Sequence, residues 1–178
     1  HNADICYASV QKCFGLPSGL AVMILSERAV EKTYEINEDN YYNSLIRIIK
    51  NADKLQTTHT PNILDIYLLK EVLNTRPSIR VTDMEIVTRF EDYVDFFNQF
   101  HDFEIFVKNE ELLSRTVFTL TGNPEVIAKI KKLALKYDIV LGNGYGDLRS
   151  NSFRIANFPV ISHGEVLKLQ AFFTNYFK

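Results

Sequence analysis

The chain has 178 residues, of which 46% are hydrophobic and 24% are charged, and its formal net charge at pH 7 is −2. This composition is typical of a globular protein with a substantial core and argues against a disordered chain. Lysines and arginines are interleaved with acidic residues, so the sequence lacks the basic stripe that binds nucleic-acid phosphates, and no run approaches the roughly 18 apolar residues of a membrane span.

Two cysteines, Cys6 and Cys13, are too few for a disulfide framework, which favours a reducing, cytoplasmic compartment. Because the sequence begins at His1 rather than Met, we expect it to be part of a longer chain.

The N-terminal part of the chain predicts two strands followed by two helices. Short apolar runs over 3–10 and 20–25 are bounded by turn residues, as buried strands are, and we expect the two strands to be neighbours. Helical patterns follow over 26–34 and 44–52, and the polar, tyrosine-bearing loop NEDNYYN separates them.

A third helix and a domain boundary are predicted next. The segment THTPNILDIYLLKEVLNT predicts a helix in which Thr60 is the N-cap and Pro61 occupies the first helical position. The tripeptide RPS then interrupts the helical pattern near residues 76–80. We therefore predict two domains, over residues 1–78 and 79–178.

The second predicted domain begins with a long amphipathic helix. Thr82 and Glu85 have the spacing of a capping box, and apolar residues recur at steps of three and four up to a predicted end near His101. The segments TVFTLTG, DIVLG and FRIANF are typical of strands, and NPEVIAKIKKLALKY is typical of a helix capped by Asn123.

A last helix is predicted to begin at Ser162, where Glu165 completes another capping box. Together these elements predict an α/β fold in which helices pack on one face of a small sheet.

Lys12 lies between the first predicted strand and a turn-rich segment, GLPSG. The pKa of a lysine amine falls readily on burial, which makes such an amine suitable for a Schiff base with a carbonyl group. Ser9 and Gln11 place a hydroxyl and an amide beside this amine, and the glycines of the turn allow the backbone to approach a bound group closely. The alternative is an ordinary surface lysine at a strand end.

Two further positions suit anionic groups. The predicted helix start at Pro61 offers free backbone N–H groups and the positive end of the helix dipole to a phosphate, with the Thr60 hydroxyl beside them; an ordinary helix cap is the alternative. His59 has no second ligand at helical spacing, so the sequence does not indicate a metal site there. Arg154 lies inside an apolar strand, where burial requires an anionic partner, either a carboxylate of this chain or that of a substrate.

The segment SVQKCFGLPSGLAVMIL resembles the pyridoxal phosphate lysine segment of the class V aminotransferases, most closely that of the phosphoserine aminotransferase branch. The resemblance implies that Lys12 binds the cofactor covalently and that Ser9 and Gln11 contact its phosphate. The segment HTPN is similar to the family's helix start, which reaches the cofactor phosphate of the neighbouring subunit. That role falls to His59 and Thr60 and implies a homodimer.

The segment FRIANFP resembles the family's strand that carries the carboxylate-binding arginine, which implies this role for Arg154. The three segments also follow one another in the family's order and spacing. Shortly before this strand the phosphoserine enzymes carry a His-Arg pair for the substrate phosphate, whereas this chain has Leu148 and Arg149. Arg149 is then the single candidate for that contact.

The resemblance covers this whole chain but only the C-terminal half of the family. It implies the C-terminal part of a fold type I transferase: residues 1–78 as the end of the large cofactor domain, and 79–178 as the small α/β domain with a mainly antiparallel sheet. The family's residues that stack on the cofactor and pair with its pyridine nitrogen have no counterpart in this chain.

The implied reaction transfers an amino group between an amino acid and a 2-oxo acid. The candidate substrates are the phosphoserine and 3-phosphohydroxypyruvate pair of serine biosynthesis, or those of an alanine-glyoxylate type enzyme. The alternative is a non-catalytic α/β binding module or an inactive fragment. Cysteine desulfurase chemistry is not expected, because Cys13 directly follows the lysine and no cysteine occurs later in the chain.

Overall fold

The chain folds as two compact units, which are joined between Arg76 and Pro77. The computed structural model describes residues 3–177, except for the side chain of Glu110. Within the described residues, no helix combines the length and the apolar character needed to cross a membrane.

A two-stranded antiparallel sheet and three helices form the first unit. In the sheet, Tyr7 lies opposite Met23. Ser26 caps the first helix, because its hydroxyl accepts the N–H of Ala29 at 3.1 Å. The predicted neighbouring strands and the two helices after them are confirmed. The elements are β1 (Ile5–Ser9), β2 (Ala21–Leu25), α1 (Glu27–Ile36), α2 (Leu45–Ala52) and α3 (Ile63–Thr75).

The sheet of the first unit exposes much of its apolar surface. Tyr7 in β1 is 77% exposed, and Met23, which lies opposite it in β2, is 47% exposed. A two-stranded sheet is marginally stable by itself in water, and contiguous exposed apolar side chains mark surfaces that other chain segments cover. The described residues do not supply that cover.

The start of α3 differs from the prediction. Asn62, not Thr60, is the N-cap: its side-chain oxygen accepts the N–H of Asp65 at 3.2 Å, and its amide donates to Asp65 Oδ2 at 2.9 Å. Pro61 therefore precedes the cap instead of occupying the first helical position. Asparagine and threonine both form N-caps, and the reciprocal bonds with Asp65 favour Asn62 because they satisfy several polar groups together.

Four antiparallel strands and three helices form the second unit. The elements are α4 (Ile79–Phe97), β3 (Phe103–Ile105), β4 (Val117–Gly122), α5 (Pro124–Leu135), β5 (Gly142–Asn143), β6 (Ser152–Ala156) and α6 (His163–Phe177). The strands lie in the order β3-β4-β6-β5, and each neighbouring pair is antiparallel. The predicted small, antiparallel sheet is confirmed.

Two helix caps of the second unit form as predicted. The side chain of Asn123 accepts the N–H of Glu125 at 2.9 Å at the start of α5. Ser162 and Glu165 form the expected capping box before α6: the Glu165 carboxylate accepts the N–H of Ser162 at 2.7 Å, and the Ser162 hydroxyl accepts the N–H of Glu165 at 3.3 Å.

The bounds of α4 differ from the prediction. Its N-cap is Ser78, whose hydroxyl accepts the N–H of Val81 at 3.4 Å, and Thr82 is buried inside the helix instead of capping it. Because Pro77 cannot continue α3, the new helix begins at the first capping residue after this break. The helix ends at Phe97, four residues before the predicted end near residue 101.

Two strands also differ from the prediction. The sequence does not reveal β3, which has three residues, too few for a period-two pattern to be recognised. The expected strand DIVLG is reduced to Gly142–Asn143, which pairs with Arg154 and Phe153 at the edge of the sheet.

Alternation along β4 and β6 directs apolar side chains to one face of the sheet. Phe118 and Leu120 of β4 lie opposite Ile155 and Phe153 of β6, and all four are buried. Apolar residues of α4, α5 and α6 join the same cluster, so the prediction of helices on one face is confirmed. Because successive side chains of a strand point to opposite faces, Arg154 lies on the other face.

A buried asparagine fixes the segment after β6. Asn157 is 0% exposed, and its amide donates to the carbonyls of Ile86 at 3.0 Å and Arg115 at 2.8 Å. Its Oδ1 accepts from Nε of Arg89, and Nη2 of this arginine donates to the carbonyl of Phe158 at 3.0 Å. The network joins α4, the chain before β4 and the chain after β6.

We expect Asn157→Ala to lower the free energy of unfolding by about 2–4 kcal/mol, because it removes the buried hydrogen bonds of the Asn157 side chain with Nε of Arg89 and with two carbonyls. Asn98→Ala, at the exposed end of α4, removes no side-chain hydrogen bond with a described residue and should change this free energy by less than about 0.5 kcal/mol. Urea unfolding of the full-length protein measures both. Equal stability of the two variants would contradict the role of Asn157.

Candidate active site

The lysine turn, residues 10–20, connects β1 with β2 and carries Lys12. The N–H of Val10 donates to the carbonyl of Leu20 at 3.1 Å, which closes the turn, and the N–H of Gly15 donates to the carbonyl of Lys12 at 2.9 Å. These bonds hold the backbone. The Lys12 side chain is exposed and makes no hydrogen bond or ion pair with another described residue.

The end of α3 contacts the middle of the lysine turn. Arg76 follows the last residue of the helix, and its Nη2 donates to the carbonyl of Cys13 at 2.7 Å. Its guanidinium carbon lies 5.4 Å from the centroid of the Phe14 ring. Both contacts attract, the first as a charge-assisted hydrogen bond and the second as a cation over an aromatic face.

The first turn of α3 contacts the far end of the lysine turn. Gly19 has a φ of 134°, and a Cβ at this position would lie 3.4 Å from Asp65 Oδ2 and 3.7 Å from Asn62 Nδ2. Glycine adopts this conformation without strain and permits the close approach. Asp65 is 1% exposed, and its Oδ1 has no hydrogen-bond partner among the described residues. Helix α3 therefore contacts the lysine turn at both helix ends.

Two of the predicted phosphate ligands lie beside Lys12. Ser9 is the last residue of β1 and is half-buried, and Gln11 is exposed within the lysine turn. Neither side chain makes a hydrogen bond with a described residue, so both remain available to a ligand.

The other two predicted phosphate ligands lie in the segment that leads into α3. Thr60 is exposed two residues before the N-cap Asn62, and its side chain makes no hydrogen bond with a described residue. His59 is also exposed; its Nδ1 lies 3.0 Å from the Thr58 hydroxyl, and its ring centroid lies 4.4 Å from that of Tyr42. Among residues 3–177, no three His, Cys, Asp or Glu side chains are placed to hold a metal ion.

Cys13 is a half-buried thiol next to Lys12. Burial raises the pKa of the Cys13 thiol, and the positive charge of Arg76 offsets part of this rise. The thiol therefore keeps its proton at neutral pH and is a poor nucleophile.

Arg154 is held on the sheet face opposite the helices. Its Nε donates to the carbonyl of Asn143 at 2.7 Å, and its guanidinium carbon lies 4.3 Å from the centroid of the Tyr145 ring. The side chain is half-buried, not buried as expected, and no carboxylate of a described residue lies within ion-pair distance. Its two Nη atoms have no hydrogen-bond partner in the described structure, and they form the planar fork that suits a bidentate carboxylate.

Arg149 lies at the end of a short 3₁₀ turn, Gly146–Arg149, and its side chain is exposed. Nζ of Lys131 donates to the carbonyl of Arg149 at 3.2 Å and to Oδ1 of Asn143 at 3.0 Å. Burial, and secondarily the positive charge of Arg149, lower the pKa of Lys131. Lys131 thereby fixes the chain between β5 and β6, while no described residue bonds to the guanidinium of Arg149.

Four residues that the sequence analysis did not select support these side chains. Asp65 and Arg76 contact the lysine turn, and Asn143 and Tyr145 contact Arg154. Asn143 binds Arg154 through its main-chain carbonyl, and a main-chain contact cannot be predicted from the type of residue. The contact of Tyr145 could have been predicted from the sequence. Tyr145 is an aromatic residue in the glycine-rich loop before the strand that carries Arg154, and such a residue suits a cation–π contact.

No family model matches the sequence. A phosphoserine aminotransferase of Rhodococcus opacus is 24% identical over 176 residues, which cover 94% of this chain and 47% of that protein. An uncharacterized aminotransferase of Methanocaldococcus jannaschii is 31% identical over 178 residues, which cover 93% of this chain and 44% of that protein. The chain thus spans about half the length of the curated relatives it matches.

The fold gives the same result as the sequence. The crystal structure of a phosphoserine aminotransferase from Cytophaga hutchinsonii matches with a TM-score of 0.86 and 29% identity, over 97% of this chain and 49% of that chain. The resemblance found in the sequence is therefore confirmed. This chain is a homologue of the phosphoserine aminotransferase-like aminotransferases, and its match to about half of their length is consistent with the C-terminal half that the sequence predicts.

Proposed function

We propose that the protein carrying this chain is a pyridoxal 5'-phosphate-dependent aminotransferase, which transfers an amino group between an amino acid and a 2-oxo acid. The observation that carries the proposal is the lysine turn, which holds a free amine on a backbone that α3 contacts at both helix ends. Similarity to a phosphoserine aminotransferase over 94% of the chain supports it.

Side chains of the first unit suit two groups of pyridoxal 5'-phosphate: the aldehyde, which reacts with an amine, and the phosphate, which accepts hydrogen bonds. Among the described residues, the Lys12 amine has no partner that would compete with the aldehyde. Ser9 and Gln11 would donate hydrogen bonds to the phosphate. When bound, this cofactor supplies the electron sink that stabilises negative charge at the α-carbon of the substrate.

His59 and Thr60 would contact the cofactor phosphate of a second copy of the chain, which makes the proposed enzyme a homodimer. Both residues are exposed and precede α3, where backbone N–H groups and the helix dipole favour an anion. Ile63 at the start of this helix is 72% exposed, as expected for a surface that a partner covers. The free thiols of Cys6 and Cys13 fit a cytoplasmic location.

Lys12 would act as both base and acid. The Nζ of a free Lys12 amine would accept the proton of the substrate α-carbon and would later return a proton to complete the transfer. No carboxylate of a described residue pairs with Lys12, so its amine is available to the substrate.

Arg154 and Arg149 would bind the two ends of a phosphorylated amino acid. The free Nη atoms of Arg154 suit the substrate carboxylate, and the free guanidinium of Arg149 suits a phosphate. Phosphoserine and 3-phosphohydroxypyruvate are the proposed pair, because the similar proteins from Rhodococcus and Cytophaga are phosphoserine aminotransferases. A substrate without phosphate, as in alanine-glyoxylate enzymes, would leave Arg149 unused.

Lys12→Ala should abolish the visible absorbance of the cofactor-loaded full-length protein and its covalent trapping by borohydride. Turnover should fall by about three orders of magnitude or more, because the nucleophile and the proton carrier are lost together. Lys54→Ala, an exposed lysine of the same unit, serves as the control and should leave both properties unchanged. Normal trapping in Lys12→Ala would remove Lys12 from the site.

Arg154→Lys should lower kcat/KM by a factor that corresponds to a loss of about 2–5 kcal/mol in transition-state stabilisation. The reason is that lysine keeps the charge but loses the planar fork. The melting temperature should change little, since the arginine has no internal carboxylate partner in the described structure. Arg115→Lys, at an exposed position of the same unit, is the control. An Arg154→Lys enzyme with a lower melting temperature and unchanged kcat/KM would show that the arginine is structural.

A further inference from the structure

Arg76 links the end of α3 to the backbone next to Lys12. The residue has an extended backbone, with φ −67° and ψ 140°, and its N–H donates to the carbonyl of Val72 at 2.9 Å, which ends the helix. Pro77 follows and favours that extended conformation. From this fixed position the side chain reaches the carbonyl of Cys13, which lies 63 residues earlier in the chain.

The contacts of Arg76 fix a peptide group, not a side chain. The hydrogen bond to the Cys13 carbonyl orients the peptide that follows Cys13, and the ring of Phe14 lies under the same guanidinium. No carboxylate of a described residue pairs with Arg76, so its charge is directed to these two groups. The half-buried position strengthens both contacts by reducing competition from water.

Internal hydrogen bonds carry this restraint to Lys12. The N–H of Gly15 donates to the Lys12 carbonyl at 2.9 Å, and the N–H of Leu16 donates to the Val10 carbonyl at 3.2 Å. Cys13 lies between Lys12 and these donors, so a rotation of its peptide strains both bonds. The backbone of Lys12 therefore depends on Arg76, although no hydrogen bond or ion pair joins the two side chains.

We infer that Arg76 is a positioning residue for Lys12: it holds the lysine turn in the conformation from which the amine reacts. The inference rests on the proposed function for its catalytic consequence, but the restraint on the turn exists without cofactor or substrate. The two parts can therefore be tested separately.

Hydrogen exchange on the cofactor-free, full-length protein tests the restraint. Arg76→Gln should raise the exchange rates of the Gly15 and Leu16 amides by about ten-fold, the scale of losing a hydrogen bond to a charged group. The amides of the β1–β2 ladder should keep their rates. Phe14→Leu, which removes only the ring, should give a smaller rise, and Arg80→Gln, an exposed arginine near the same junction, should give none.

Two exchange results would overturn the inference. One is unchanged exchange at Gly15 and Leu16, and the other is an equal rise throughout β1 and β2, which would mean that Arg76 stabilises the whole unit.

Amine rescue tests the link to Lys12. Arg76→Gln should lower the rate of covalent attachment of pyridoxal 5'-phosphate and lower kcat by about ten-fold or more while KM changes little. In a Lys12→Ala background supplied with methylamine, the same change should have no further effect, because a free amine needs no positioning. An equal loss with and without Lys12 would overturn the positioning role.

A wild-type protein that neither reacts with pyridoxal 5'-phosphate nor transfers amino groups would instead refute the proposed function. The exchange rates of Gly15 and Leu16 would still decide whether Arg76 holds the turn.

Discussion

Helix α3 approaches the lysine turn at both helix ends, and the proposed chemistry depends on this arrangement. A reactive amine must be held in position, and it must also be free of hydrogen-bond partners. Hydrogen bonds made by the amine itself would meet the first requirement and violate the second. Here Arg76 binds the Cys13 carbonyl, and Gly19 leaves room for Asp65 to lie close to the backbone, so the restraint falls on the main chain. The amine of Lys12 stays free of partners among the described residues.

The second unit restrains Arg154 by a similar division. Strand alternation sends Phe153 and Ile155 into the core and Arg154 to the opposite face. The main-chain carbonyl of Asn143 uses Nε, and the ring of Tyr145 covers one face of the guanidinium, so that the Nη edge is the part left for a ligand. Core packing fixes the strand, and two local contacts fix the direction of the charge.

Sequence patterns predicted those parts of the structure that depend on neighbours along the chain. The capping box of Ser162 and Glu165 and the cap at Asn123 were predicted correctly, because a few residues determine each. Thr60 was wrongly predicted as the N-cap of α3, since asparagine also caps helices and the bonds with Asp65 favour Asn62. Strand β3 is too short to show a period.

Long-range contacts account for what the sequence could not show. Lys12 and Arg154 were selected from local motifs, whereas the bond from Arg76 to Cys13 joins residues 63 positions apart. The network of Asn157 with Ile86 likewise joins residues 71 positions apart. Such pairs leave no mark in a single sequence, because each partner alone is an ordinary residue in an ordinary segment.

Because a main-chain carbonyl holds Arg154, some positions of this loop can be substituted without loss of that bond and others cannot. Any residue at position 143 supplies the same main-chain oxygen, so exchange of its side chain leaves that bond intact. Gly142 is different, since a Cβ there would lie 3.3 Å from the Arg154 carbonyl and 3.4 Å from its Cβ. The side chain at position 143 can thus change without loss of the bond to Arg154. Gly144 is restricted more strongly than Gly142, since a Cβ at Gly144 would clash with Oγ of Ser152.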